Sequence, residues 1–326
     1  MFLVSKVFAY SQKTPEDFGY RHLKFKYQND PVDIIVISKP GEEKIAKPLF
    51  LFCQGSLPQP VVKYDENGLY GTLPFDETPF LEGYHIVIIG KPFIPIISNV
   101  NKLGENYVYL KDVEKKVPPK GYIERNYLDY YVFRNNCILK QLFKERWVKT
   151  SKLLIAGHSE GSTIASKMAF INKKVTHLIY SGGNPYGRIM NILSQSRSFD
   201  NDTLNEGNNT IEYWKKVVEN PNEINASNGD SNKTTYSFSL PQKDNLMGLK
   251  IPVLVTYGTK DWSACFNDLF QIEAIRERKQ NLSFKSYLNL EHNYFPINKN
   301  GTVNQEIYNW DKIASDWLNW LEKTNN

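Results

Sequence analysis

The sequence predicts an α/β architecture, a mostly parallel sheet covered by helices on both faces, from three observations. Short apolar runs recur as continuous rather than alternating stretches, as strands buried on both faces require. Helical patterns separate them, so strands and helices alternate along the chain. One run, Lys152-Leu153-Leu154-Ile155-Ala156, ends in Gly157-His158-Ser159-Glu160-Gly161 and passes directly into the helical start Ser162-Thr163-Ile164-Ala165. That strand–turn–helix setting is where a G-x-S-x-G serine is lifted out as a nucleophile. With 326 residues, 41% hydrophobic and 23% charged, the chain is long enough to bury such a core.

In chain order, Leu23-Lys24-Phe25-Lys26-Tyr27 and Val32-Asp33-Ile34-Ile35-Val36-Ile37 flank Asn29-Asp30-Pro31, a hairpin signal. Buried-type runs follow: Pro48-Leu49-Phe50-Leu51-Phe52-Cys53, Tyr84-His85-Ile86-Val87-Ile88-Ile89, Leu153-Leu154-Ile155-Ala156, His177-Leu178-Ile179-Tyr180 and Ile251-Pro252-Val253-Leu254-Val255-Thr256-Tyr257. Helical patterns occupy residues 127–147, 162–170 and 268–279, and Ile313, Trp317, Leu318, Trp320 and Leu321 give the last helix a strong apolar face. An antiparallel start followed by this alternation, wound by right-handed crossovers, gives the sheet.

Residues 184–248 break the rhythm, because about 65 residues intervene where a short connection belongs. They hold one clear helical pattern, residues 210–219, and scattered aromatics that include Tyr186, Trp214, Tyr236 and Phe238. Connections at the carboxyl ends of parallel strands carry ligand sites, so this segment is expected to form a cap over Ser159. The core is then residues 1–183 with 249–326.

Bulk properties exclude several classes. The net charge of +5 is spread without a dense basic block, so nucleic-acid binding has no support. Cys53, Cys137 and Cys265 lie far apart, with no metal-ligand or disulfide pattern, and Cys53 reads as a small buried thiol. No apolar run is long enough to span a membrane. Residues 1–11 resemble the tail of a secretion signal but lack a basic start, and Lys6 interrupts them. As written they favour a cytoplasmic location, with a secreted or periplasmic one if they are such a tail.

A serine needs a base at neutral pH, and the chain has five histidines. His158 lies within the turn and should face away from Ser159. His85 and His177 start strands, the wrong edge of the sheet, and His22 precedes the first hairpin. His292, in the loop before the last helix, is the expected base. Asp261, beyond the run 251–257 and a glycine turn, is the expected partner for its other ring nitrogen. Asp268 is the alternative, though it reads better as a helix-start residue, and Glu291 is too near His292 to reach back. The oxyanion hole is expected from the N–H of Glu160 with the N–H of Ser56, and Gly55 or Gln54 as alternatives to the latter. Trp262, Tyr294, Tyr186 and Trp214 are candidate pocket residues.

The order Ser159, Asp261, His292, with the turn and the Gln54-Gly55-Ser56 loop, resembles the α/β-hydrolase superfamily over nearly the whole chain. The resemblance implies an eight-stranded, mostly parallel sheet, with a cap between its sixth and seventh strands where residues 184–248 fall. It also implies an acyl-enzyme route to cleavage of esters, thioesters, amides or peptides. Gln54-Gly55 stands where the family usually has His-Gly, and an acidic residue follows the serine. The expected protein is a serine hydrolase acting on a small ester or acyl substrate, with no metal or organic cofactor implied. An amide- or peptide-cleaving hydrolase, or a binding module on the same scaffold, are the alternatives. Oligomeric state is not legible.

Overall fold

The computed structural model describes residues 13–324 except residues 72, 115 and 225–228. The candidate signal at residues 1–11 therefore lies outside the described residues. The chain opens with a hairpin, β1 (Arg21–Tyr27) and β2 (Asp30–Ile37), in which Arg21 pairs with Val36 and Tyr27 with Asp30. The reversal thus occupies residues 28–29, one step earlier than the Asn-Asp-Pro signal indicates, and Pro31 lies inside β2. A proline is tolerated there because the second neighbour of β2 pairs only from Ile34 onward, leaving Pro31 with one partner strand.

The chain continues with β3 (Lys47–Cys53), β4 (Val62–Asp65), β5 (Gly68–Tyr70), α1 (Thr78–Leu81), β6 (His85–Ile89), β7 (Ile97–Asn99), α2 (Lys120–Arg125) and α3 (Leu128–Leu142). Next come β8 (Val148–His158), α4 (Glu160–Ile171), β9 (His177–Ser181), α5 (Arg188–Arg197), α6 (Glu206–Glu219), α7 (Asn232–Ser239) and α8 (Lys243–Gly248). The last elements are β10 (Val253–Gly258), α9 (Ala264–Arg276), β11 (Leu282–Tyr287) and α10 (Trp310–Thr324). The main sheet runs β1-β2-β6-β3-β8-β9-β10-β11, antiparallel at β1/β2 and β2/β6 and parallel thereafter. A small second sheet, β5-β4-β7, comes from segments with no strong strand signal in the sequence.

Successive side chains of a strand point to opposite faces, and the core divides accordingly. Leu49, Leu51, Leu153, Ile155 and Val255 pack with residues of α3, α4, α8 and α9, such as Leu139, Met168, Leu246 and Phe270. Phe50, Phe52, Leu154, Ala156 and Leu254 pack on the other face with Phe80 of α1 and with Ile313, Trp317 and Leu321 of α10. Both faces of the central strands are therefore dry, which explains their unbroken apolar runs. No helix among the described residues is long and apolar enough to cross a membrane.

Among the described residues, the segment between β9 and β10 holds four helices, α5 to α8, rather than the one its periodicity suggests. Three of them are stretches of ten residues or fewer with many polar residues, so their apolar faces are too short to register as a pattern. β9 and β10 are the sixth and seventh strands of the main sheet in chain order, so the segment leaves from the carboxyl edge beside the turn that carries Ser159.

Candidate active site

Ser159 stands between β8 and α4 with φ 58° and ψ −127°, a conformation L-residues rarely adopt. Neighbouring glycines permit the turn through closeness rather than through their own dihedrals. A Cβ on Gly157 would sit 2.1 Å from the Gly161 carbonyl oxygen, and one on Gly161 would sit 2.1 Å from the Cys53 carbonyl oxygen. The strand, the turn and the exit of β3 are thus pressed backbone to backbone. The Ser159 N–H donates to the Ser181 carbonyl at 2.9 Å, pinning the turn to β9.

His292 lies in the loop between β11 and α10, with Nε2 2.9 Å from Ser159 Oγ and Nδ1 2.7 Å from Asp261 Oδ2. A carboxylate only accepts, so Nδ1 carries the proton and Nε2 is left to accept from the serine hydroxyl. The other carboxylate oxygen, Asp261 Oδ1, accepts from the Ser263 N–H at 2.9 Å, which fixes the acid. Glu291 holds the histidine loop from within: its Oε1 accepts from the N–H groups of Asn293 and Phe295. Burial disfavours the charged imidazole of His292, but the Asp261 hydrogen bond and charge, with Glu291, outweigh it and raise its pKa above the ordinary value. Asp268 does not cap α9; it sits one turn inside and accepts from the Tyr257 hydroxyl, because the helix already begins at Ala264.

The remaining histidines are placed as follows. His22 pairs with Asp33, His85 bridges Ser38 and the Ile45 carbonyl at the far edge, and His177 starts β9 beside Thr176. His158 turns away from Ser159 and stacks under His292, with ring centroids 5.0 Å apart. Its Nδ1 bonds Ser181 Oγ at 3.0 Å, and burial lowers its pKa so that it stays neutral.

Glu160, the first residue of α4, is buried, and both its oxygens are engaged. Lys91 Nζ lies 3.3 Å from Oε1 and Arg188 Nη1 3.3 Å from Oε2, while the other guanidinium end of Arg188 pairs with Asp230. A chain of alternating charge thus runs from the strand exit at Lys91, through the nucleophile helix, to the segment between β9 and β10, buried at Lys91 and Glu160 and half-buried at Arg188 and Asp230. Sequence reasoning missed Lys91 and Arg188. Lys91 carries one signal, its place two residues past a buried strand; nothing local marks Arg188 as a neighbour of residue 160.

Ser56 and Gly55 sit beside the nucleophile; a Cβ on Gly55 would lie 3.9 Å from Ser159 Cβ. The Ser56 carbonyl accepts from the Tyr122 hydroxyl at 3.0 Å and from Lys91 Nζ at 3.3 Å, which fixes the orientation of that loop. The side-chain oxygen of Gln54 is buried without a hydrogen-bond partner among the described residues, and Gln54 lines a small pocket with Arg134 rather than the cavity over Ser159.

A cavity of about 340 Å³ opens over Ser159 and is lined by Ser56, Glu160, Asp261, Trp262 and His292 from the core. Asn184, Arg188, Asn191, Ile192, Gln195 and Phe238 line it from the segment between β9 and β10. Of the four aromatics expected in the pocket, only Trp262 lines it. Tyr294 is fully buried beneath, where its hydroxyl bonds Ser181 and Thr256 and its ring packs on His158 and Trp310. Tyr186 faces the opposite side and donates to Glu273, and Trp214 stacks on Tyr236 within the segment. Both packing arrangements bury apolar area that the cavity would leave wet.

No family model and no curated protein matches this sequence. Solved structures do resemble it. A dipeptidyl aminopeptidase IV candidate from Bacteroides ovatus shares 9% identity at a TM-score of 0.58, covering 94% of this chain and 36% of its own. Est1E from Butyrivibrio proteoclasticus, solved with ferulic acid bound, shares 14% at 0.52, covering 83% and 91%. The acylaminoacyl peptidase of Pyrococcus horikoshii shares 17% at 0.50, covering 84% and 37%. The chain thus spans little more than a third of the two peptidases and nearly all of Est1E. At these identities the likeness speaks to the fold.

Proposed function

We propose that this chain, which has the α/β-hydrolase fold, is a serine hydrolase that cleaves a carboxylic ester, on the strength of its site rather than its fold. The observation that carries the reading is the continuous relay from Ser159 Oγ through His292 to Asp261, with contacts of 2.9 and 2.7 Å on opposite ring nitrogens. In this reading Ser159 Oγ bonds the substrate carbonyl carbon while His292 Nε2 takes its proton. The N–H groups of Glu160 and Ser56 receive the oxyanion, where the N-terminus of α4 adds its dipole. As the ester C–O bond breaks, His292 returns the proton to the leaving alcohol, and it then deprotonates the water that releases the acid. Asp261 holds the tautomer and faces the imidazolium. Residues 184–248 act as a cap, a role supported by the six cavity residues they supply: Asn184, Arg188, Asn191, Ile192, Gln195 and Phe238.

The pairing of Glu160 with two cations favours this reading over an aminopeptidase-like one. An acid that bound a substrate amino terminus would need uncompensated negative charge, and Lys91 and Arg188 pair with its two oxygens.

Fluorophosphonate labelling of wild type and Ser159→Ala tests the nucleophile. We expect label on wild type only, and turnover of p-nitrophenyl esters reduced about 10³–10⁶-fold in the variant. Equal labelling of both would overturn the assignment. Faster cleavage of matched p-nitroanilides than of the esters would transfer it to amide substrates.

A further inference from the structure

Three strands leave the sheet side by side at the candidate site. β3 lies between β6 and β8, with Leu51 paired to Val87 on one side and Cys53 to Gly157 on the other. The residues just past their carboxyl ends are therefore neighbours: Lys91 after β6, Ser56 after β3 and Glu160 after β8. The Lys91 side chain spans the other two. Its Nζ donates to the Ser56 carbonyl at 3.3 Å and to Glu160 Oε1 at 3.3 Å, and it lies 5.1 Å from the centroid of the Tyr131 ring. The side chain is 2% exposed, so water does not screen these contacts. Tyr122 bonds only Ser56 of this pair, and Arg188 only Glu160.

Ser56 and Glu160 are the residues whose N–H groups receive the oxyanion in the hydrolase reading proposed above, on which this inference rests. Both donors must converge on one oxygen, at about 2.7–3.1 Å, so the separation of the two strand exits bears directly on the rate. Close contact of Gly161 with the Cys53 carbonyl sets that separation at the base of the exits. At Ser56 the described residues show no backbone hydrogen bond to α4, and the Lys91 bridge takes its place. Lys91 is absent from the walls of the cavity over Ser159, so it meets no substrate there. We infer that Lys91 is a positioning residue for the oxyanion hole, which fixes the Ser56 and Glu160 N–H groups relative to each other through its two hydrogen bonds. Its loss then acts where charge develops on the carbonyl oxygen, on kcat rather than on KM.

The test compares wild type, Lys91→Met, the double variant Lys91→Met/Glu160→Gln and Lys47→Met on p-nitrophenyl butyrate and on its thiono analogue, in which sulfur replaces the carbonyl oxygen. Sulfur accepts hydrogen bonds weakly, so the preference for oxygen over sulfur in kcat/KM reads the hole itself. Methionine keeps the reach of the lysine stem and removes its donors. The double variant removes one buried charge of each sign, so it answers if the single variant fails to fold. Lys47 is the control: it is also buried and holds Glu42 and the Leu81 carbonyl, but it starts β3 at the opposite edge of the sheet. Both Lys91 variants are expected to lose about 10–100-fold in kcat, with KM within about twofold of wild type. Their oxygen-over-sulfur preference should fall at least about tenfold, and that of Lys47→Met should stay at the wild-type value. An unchanged preference in a folded Lys91 variant overturns the inference even if kcat drops. An equal fall in Lys47→Met also overturns it, because the effect would then follow lost stability. Loss of fluorophosphonate labelling at wild-type Ser159 is a separate failure, of the hydrolase reading itself, and takes this inference with it.

Discussion

Ser159 is held at φ 58°, a strained position that costs about 1–3 kcal/mol and aims its hydroxyl at His292. In the proposed relay His292 is the base, and it works only when neutral. Since the Asp261 contact raises the His292 pKa, more of the ring is protonated at a given pH, and activity must fail earlier on acidification. We expect the acid limb of the kcat/KM profile to lie above pH 6.5, the ordinary histidine value. Asp261→Asn should move that limb to lower pH, because burial then acts on the ring against the Glu291 charge alone, and should cut the rate about 10³–10⁴-fold. A limb that stays in place in the variant would mean another group titrates. The three residues were legible because each type sits at a strand's carboxyl end. The pocket aromatics were not, since a tyrosine that lines a cavity and one that fills a core look alike in sequence.

At the scale of elements, the join of β8 to α4 depends on three backbones touching. Gly161→Ala puts a methyl 2.1 Å from the Cys53 carbonyl, which cannot move without moving β3. The variant should lose about 1–3 kcal/mol or more in urea unfolding and label with fluorophosphonate at least about tenfold more slowly. Normal labelling at wild-type stability would show the turn to be looser than its contacts imply. The charge chain that joins α4 to α5 makes a different demand. Glu160→Gln leaves the Lys91 ammonium, whose side chain is 2% exposed, without its counter-charge. Removing one partner of a buried pair costs about 3–5 kcal/mol, which equilibrium urea unfolding would register. A cost below about 1 kcal/mol would mean that Lys91 sheds its proton instead. The helix at residues 160–171 and its acidic first residue were readable, but the partners of that acid lie about 70 residues before it and 28 after it, beyond any local pattern.

The molecule as a whole is two cores on one sheet, and α10 completes the second. Trp317 is fully buried in that helix, against Phe75 and Trp310, and Trp310 in turn touches His158 and Tyr294 beneath the site. Trp317→Ala should destabilise the fold by about 3–5 kcal/mol with the urea m-value unchanged. A smaller loss would show that this face of the sheet repacks around the vacancy.

β11, an edge strand with exposed polar positions, has no buried run to mark it; the sequence by itself determined the other seven of the eight main-sheet strands in order along the chain, the turn that carries Ser159 and the candidate relay residues. These are written in local signals: buried runs, glycines where backbones touch, and chemistry-bearing side chains at strand ends. Only the tertiary structure decided the small second sheet, helices α5, α7 and α8 between β9 and β10, and the pairing of Glu160 with Lys91 and Arg188. Each of those depends on contacts between residues distant in the chain, whose energy comes from burial and charge pairing that no window of sequence contains.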